Sequence, residues 1–217
     1  TAEAGGLDAD MIEIFPADSI NGVDPEVLQI ARGLKIELLR WPGGNFASGY
    51  HWKNGIGPRE GRPTVPNPAW GGLETHHFGT DEFMQFCRRI GAKPHVCVNA
   101  GNGTPEEAAE WVEYCNGPAS SRMGALRAAN GHPEPYDVRV WEIGNELYGG
   151  WQIGHTDAAG NARRFIEFRK AMLAADPSVE IIATGKGDQF TGDGMEFDRQ
   201  WNAAVLDAAR QDGRPPE

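Results

Sequence analysis

The chain has 217 residues, 40% of them apolar and 24% charged, the balance of an ordinary globular fold rather than of a disordered or fibrous chain. Its net charge of −11 repels phosphate backbones, which argues against nucleic acid as a partner and leaves neutral substrates such as sugars open. No apolar run approaches the ~20 residues of a membrane helix, so no membrane partner is expected.

Residues Thr1 to Asp10 carry neither the basic nor the apolar stretch of a secretion signal, and an opening TAEAGG without Met looks like a piece of something longer. Met11–Phe15 has the composition of a short strand. Pro25–Arg32 reads as a helix, with Asp24 as cap, Pro25 in the first turn and Gly33 just past the end. Lys35–Leu39 follows as a strand. From Arg40 to Gly79 no helical period is present, and Gly, Pro and Trp abound. Thr80 then caps a helix over Asp81–Ile90, with Phe83, Met84, Phe86, Cys87 and Ile90 on one face and Gly91 as its stop.

Pro94–Val98 is the next strand. Thr104-Pro105-Glu106-Glu107 opens a helix to about Cys115, and a short helix is possible at Met123–Ala128. Val138–Ile143 reads as a strand, Ala158–Ala175 as a helix stopped by Asp176-Pro177, and Val179–Thr184 as a strand. Gly185–Gly194 reads as a loop and Glu196–Arg210 as a helix. Strands alternating with helices imply parallel strands with right-handed crossovers, in a barrel or a doubly wound sheet. Four β/α units are clear and a fifth is doubtful. An eight-unit barrel takes ~250 residues, so a barrel would be left open by this chain.

The three cysteines, Cys87, Cys97 and Cys115, each fall in an apolar helix or strand pattern. An odd count without paired spacing suits reduced core thiols and leans towards a cytoplasmic protein.

The segment Trp141-Glu142-Ile143-Gly144-Asn145-Glu146 ends an apolar strand with a polar pair. Parallel α/β folds build their sites at such strand ends. A carboxyl placed there can protonate a leaving-group oxygen, and a neighbouring amide can hydrogen-bond a sugar hydroxyl. The plain alternative is a helix cap or a loop carboxylate. Glu142, four residues earlier, lies deeper and reads as a structural carboxylate or one supporting the site from beneath.

A second strand ends in Arg40-Trp41-Pro42-Gly43-Gly44-Asn45-Phe46. Arg40 can orient a carboxylate through its planar fork and Asn45 can bind a hydroxyl, or the whole can be a structural turn. The long segment that follows carries Trp52 and Trp70. Trp52 reads as a pin holding the loop down, and Trp70 as a face for sugar C–H groups. His76-His77 has poor metal-ligand spacing and no Cys/His cluster beside it, and Gly55-Ile56-Gly57 lacks the setting of a phosphate loop.

Arg40-Trp-Pro-Gly-Gly-Asn45-Phe-Ala-Ser-Gly-Tyr50, Trp52, Asn67-Pro-Ala-Trp70, Glu82-Phe83, Val98-Asn99, Gly131-His-Pro-Glu-Pro135, Ile143-Gly-Asn-Glu146 and Trp151-Gln-Ile-Gly-His155 together resemble glycoside hydrolase family 51. The likeness runs from about Pro16 to Thr184. It implies an α/β fold, an incomplete (β/α)8 TIM barrel holding about strands 1 or 2 to 5. Residues 1–217 would form part of the catalytic domain, without its C-terminal strands or the β-sandwich many members carry.

The resemblance further implies a retaining, exo-acting α-L-arabinofuranosidase acting on arabinan- or arabinoxylan-type glycans, with no metal or cofactor. Glu146 resembles its acid/base and Asn145 the residue that binds the sugar 2-hydroxyl. Arg40 and Asn45 resemble residues lining the arabinose subsite, Trp70 an aromatic on the leaving-group side, and Trp151 a residue at the mouth. The family's nucleophile, a Glu on barrel strand seven, has no counterpart here, since none of Asp188, Asp193 or Glu196 lies in a matching motif; the substrate-binding carboxylate of barrel strand one is not evident either. A chain of this kind is expected to be inactive alone and a homo-oligomer at full length. An endo-β-glycanase of the same clan and a catalytically inactive sugar-binding module are the alternatives.

Overall fold

Asp24 accepts hydrogen bonds from the backbone N–H groups of Glu26 and Val27 at 2.7 and 3.3 Å, and Pro25 supplies a preset φ. Helix α1 follows over Pro25–Gly33. The structure is a computed structural model that describes residues 14, 16–20, 22–187 and 192–213. The strand expected over Met11–Phe15 lies outside the described residues, Ile14 aside.

Strand β1 spans Leu38–Trp41 rather than starting at Lys35. Lys35 takes the left-handed φ of 52°, which cannot continue a strand, so extended backbone begins later and takes in Arg40. The segment up to Gly79 is less irregular than its composition suggests. It holds three 3₁₀ turns (Gly44–Gly49, Trp52–Gly55 and Arg59–Gly61) and a small antiparallel pair, β2 (Val65–Pro66) with β3 (Leu73–Glu74).

Helix α2 spans Thr80–Ile90. Its cap is Gly79, not Thr80: the Glu82 carboxylate reaches back to accept from Gly79 N–H at 2.9 Å. The Thr80 hydroxyl is instead occupied by the Trp111 indole N–H at 3.0 Å. Strand β4 (Lys93–Val98) leads to α3 (Pro105–Asn116), where Thr104 Oγ1 accepts from Glu107 N–H at 3.1 Å. Helix α4 covers Arg122–Ala129.

Strand β5 covers Val140–Ile143, two residues shorter than its apolar run. The Asn116 amide takes both the N–H and the C=O of Val138 at 2.8 Å, removing that residue from the ladder. Helix α5 spans Ala158–Ala175 as expected, and β6 spans Glu180–Ala183. Helix α6 runs Gly192–Gln211, starting inside the glycine-rich stretch read as loop.

The fold is α/β. Four parallel strands lie in the order β1–β4–β5–β6, with Arg40 opposite His95 and Cys97 opposite Glu142. Alternation along the strands divides the side chains. Val96, Val98, Trp141 and Ile143 are buried in the main core with the helices. Arg40, His95, Cys97 and Glu142 share the other face and contact one another. The core centres on Trp111. Its ring stacks on Trp52 at 5.9 Å and meets Trp41 and Trp141 edge-on at 5.9 Å each. Trp52 is 1% exposed and donates to Glu107 C=O at 2.9 Å, so it does pin the long loop. All three cysteines are buried free thiols.

The loops after β1, β4 and β5 meet backbone to backbone at the C-terminal ends of the strands. A Cβ added to Gly101 would fall 2.2 Å from Ser48 O and 2.7 Å from Ile153 O. One added to Gly154, which has φ of 69°, would fall 2.1 Å from Gly101 O. The contact is fastened by Asn102 N–H to Ser48 C=O at 3.2 Å, and by Arg164, which donates to Ala100 C=O and Gly154 C=O at 2.7 Å each. Gly154→Ala should therefore cost about 2–3 kcal/mol through overpacking and a disfavoured φ. Thermal unfolding measures it, and an unchanged midpoint would mean that the loops part freely.

Candidate active site

The rim is built where three strands end. Beyond β5 the chain turns through Gly144 at φ 77° and continues through Glu146 at φ 45°. The turn is held on two sides. Gly144 N–H bonds to Val98 C=O of β4 at 3.2 Å, and Thr184, just past β6, shares its hydroxyl proton between Ile143 O and Gly144 O at 2.9 and 2.8 Å. Cys97 Sγ donates to Gly144 O at 3.3 Å. Burial, with Glu142 nearby, pushes the Cys97 thiol up to about 12, so it keeps the proton it donates.

Arg40 is reached by this turn from β1. It lies within the strand, not beyond its end, and its donors are divided among three partners. Nε donates to Glu142 Oε2, while Nη2 reaches Asn145 Oδ1 at 3.0 Å and Cys97 Sγ at 3.3 Å. His95 Nε2 lies 3.3 Å from the same Glu142 oxygen. Burial works to raise the Glu142 pKa, but His95 and the Arg40 guanidinium outweigh it and hold the carboxyl below the usual carboxylate range.

Asn145 is 7% exposed, and its Nδ2 is buried without a hydrogen-bond partner among the described residues. Glu146 is half-buried. A left-handed φ on a residue with a side chain is strained, and such strain concentrates at functional sites.

The remaining candidates lie on the neighbouring loops. Asn45 Oδ1 accepts from Gln152 Nε2 at 2.7 Å, tying the loop after β1 to the loop after β5. Trp70 is 67% exposed, and its ring lies 3.5 Å from where a Cβ on Gly44 would stand. Asn67 Oδ1 holds its turn by accepting from Ala69 N–H and Trp70 N–H at 3.1 and 3.0 Å. Trp151, also 67% exposed, lies over Gly149 so closely that a Cβ there would be 2.4 Å from the ring. Among the described residues, none of Asn45, Trp70 and Trp151 hydrogen-bonds the Glu146 carboxyl. A cavity of about 190 Å3 includes Asn45, and a larger one of about 520 Å3 lies against α2; Glu146 lines neither. His76, of the adjacent histidine pair, is buried and its ring Nδ1 is spent on Pro63 C=O at 2.6 Å.

Three residues of this arrangement were not placed in the site from sequence: Gln152, His95 and Cys97, the last read only as a core thiol. The last two had a readable signal, since they stand two apart and so share one strand face, with polar Asn99 next in phase.

A family model described as alpha-L-arabinofuranosidase 1 domain matches residues 30–210. Alpha-L-arabinofuranosidase C of Emericella nidulans is 44% identical over 171 residues, which are 79% of this chain and 34% of that protein. An intracellular exo-alpha-(1->5)-L-arabinofuranosidase of Streptomyces lividans is 39% identical over 193 residues, 88% of this chain and 28% of that protein. The crystal structure of the Thermotoga maritima alpha-L-arabinofuranosidase in complex with arabinose has a TM-score of 0.83 at 45% identity, covering 91% of this chain and 39% of its own. The GH51 alpha-L-arabinofuranosidase of Thermotoga petrophila has a TM-score of 0.81, also at 45% identity, over 89% of this chain and 38% of its own. The chain thus spans about a third of the length of these curated relatives. With the matched domain covering every strand of the parallel sheet, the chain belongs to glycoside hydrolase family 51, that of the α-L-arabinofuranosidases.

Proposed function

We propose that this chain supplies the acid/base side of a retaining, exo-acting α-L-arabinofuranosidase, and that its four parallel strands are consecutive staves of a (β/α)8 barrel. The observation that carries the reading is the Asn145–Glu146 pair at the end of β5, its amide clamped by Arg40 and its turn fastened to β4 and β6. The substrate is a terminal arabinofuranosyl unit of an arabinose-containing glycan. That reading is supported by the names of the relatives and by the arabinose held in the Thermotoga maritima structure.

In the first step a carboxylate outside residues 1–217 attacks the anomeric carbon. A new C–O ester bond forms as the glycosidic C–O bond breaks, and Glu146 gives its proton to the departing oxygen. In the second step Glu146 takes a proton from water, whose oxygen displaces the carboxylate and releases arabinose. Asn145 donates Nδ2–H to the ring's 2-hydroxyl. Asn45 lines the same subsite, while Trp70 and Trp151 offer exposed faces to the leaving portion. Arg40 acts from beneath, through Asn145. A cytoplasmic location and a homo-oligomeric full-length protein complete the reading.

Proton NMR of an activated aryl α-L-arabinofuranoside treated with the full-length protein tests it. The α-anomer of arabinose should appear first. Initial release of the β-anomer would exclude retention, and no hydrolysis would exclude the activity.

A further inference from the structure

Among the polar groups on the sheet face opposite the main core, Glu142 has no part in the chemistry so far, yet it meets two side chains, Arg40 and His95. Its Oε2 accepts from Arg40 Nε and lies 3.3 Å from His95 Nε2. It is also well covered, with a side chain 14% exposed. Arg40 is a donor at every nitrogen. The Asn145 atom that faces Arg40 Nη2 at 3.0 Å must therefore be the oxygen, which leaves Nδ2 as the free end. That Nδ2 is the buried, unpartnered amide at the rim. A buried donor without a partner is costly, and an acceptor oxygen of a ligand would relieve that cost.

We infer that Glu142 is a positioning residue that fixes which end of the Asn145 amide faces the substrate, a role that rests on the proposed reading of Asn145–Glu146. Glu142, which His95 Nε2 approaches at 3.3 Å, fixes the guanidinium of Arg40 in the plane from which Nη2 meets Asn145 Oδ1. The amide can then offer only a hydrogen-bond donor, suited to a sugar hydroxyl oxygen acting as acceptor. Without the carboxylate, Arg40 is free to leave, and the amide can turn its oxygen outward. An amide so turned can only accept from the hydroxyl and no longer donates to its oxygen. Cys97, on the far side of Nη2, limits how far the guanidinium can swing but carries no charge to hold it.

A double-mutant cycle on the full-length protein separates this role from a merely structural one. Glu142→Gln keeps the volume and one acceptor. It should lower kcat on an α-L-arabinofuranoside by roughly 10- to 100-fold through misplacement of the amide, with KM changed less than about threefold. In an Asn145→Ala background the same substitution should cost less than about twofold, because the group it positions is gone. Losses that multiply across the two substitutions overturn the proposal. A crystal structure of Glu142→Gln gives an answer independent of turnover. Loss of the Arg40–Asn145 contact supports the positioning role, and its retention at about 3 Å, comparable with an ordinary N–H···O bond, overturns it. If the unsubstituted protein hydrolyses no arabinofuranoside while Glu142→Gln does release the contact, the functional reading fails and the positioning stands.

Discussion

Glu146→Gln in the full-length protein is expected to lower kcat/KM on a natural arabinofuranoside by roughly 10²–10⁴-fold, the usual contribution of a positioned general acid. The loss should depend on the leaving group. A nitrophenolate departs without a proton, so the first step on an activated aryl glycoside should be nearly spared, and the slower second step should become limiting. Equal losses on both substrates would remove Glu146 from the acid role. Its backbone provides a control. At φ 45° the residue occupies a region that glycine enters freely, so Glu146→Gly should abolish acid catalysis yet leave the fold as stable or about 1 kcal/mol more stable. A thermal midpoint that fell well below that of the parent would mean the carboxyl has a structural task instead.

The second large effect concerns the charge beneath the rim. Removing one partner of a fully buried ion pair costs ~3–5 kcal/mol. Arg40 keeps 29% of its side chain exposed, so Arg40→Ala should cost less, about 2–3 kcal/mol after that discount. The cost should depend on pH in a definite direction. Glu142 has a depressed pKa in the folded protein, so its contribution is fully present above the ordinary carboxylate pKa, near ~4.3, and is lost as pH falls through the folded value. Without Arg40 the opposing effect of burial is less well countered. The stability gap between parent and variant should thus be widest at neutral pH and narrow on acidification. Denaturant melts at neutral pH and below the carboxylate range measure both arms, and a gap that widened in acid would contradict the ion-pair account.

Helices were legible in the sequence where local chemistry alone decides them. Asp24 and Thr104 cap where expected, and α5 begins and ends as read. Boundaries moved where a distant group intervened. The Asn116 amide removed Val138 from its strand, the Trp111 indole drew Thr80 away from capping, and Lys35 adopted a backbone angle that nothing local announces. Glycines misled in the other direction, since α6 starts within the glycine-rich segment.

In the site, the strand-end Asn145–Glu146 pair was legible because a polar pair closing an apolar run is visible one-dimensionally. The support below it was legible only in part: Glu142 was read as a structural or supporting carboxylate and Arg40 as able to orient one, while His95 and Cys97 were not placed there. Arg40, His95, Cys97 and Glu142 come from three strands, and only the register that sets Arg40 against His95 and Cys97 against Glu142 makes them neighbours. Gln152 was hidden for the same reason, since its partner Asn45 lies on another loop.

The close approach of Gly101, Gly154 and Ser48 bears on how such an enzyme can diversify. Segments joining sheet to helix are usually where a scaffold acquires new specificities, by lengthening or shortening. Here three of them are riveted together at a point with no room for a methyl group, so an insertion near the rivet would spring all three at once. Tuning for a different glycan is therefore best sought further out, in the two tryptophans that stand clear of the junction.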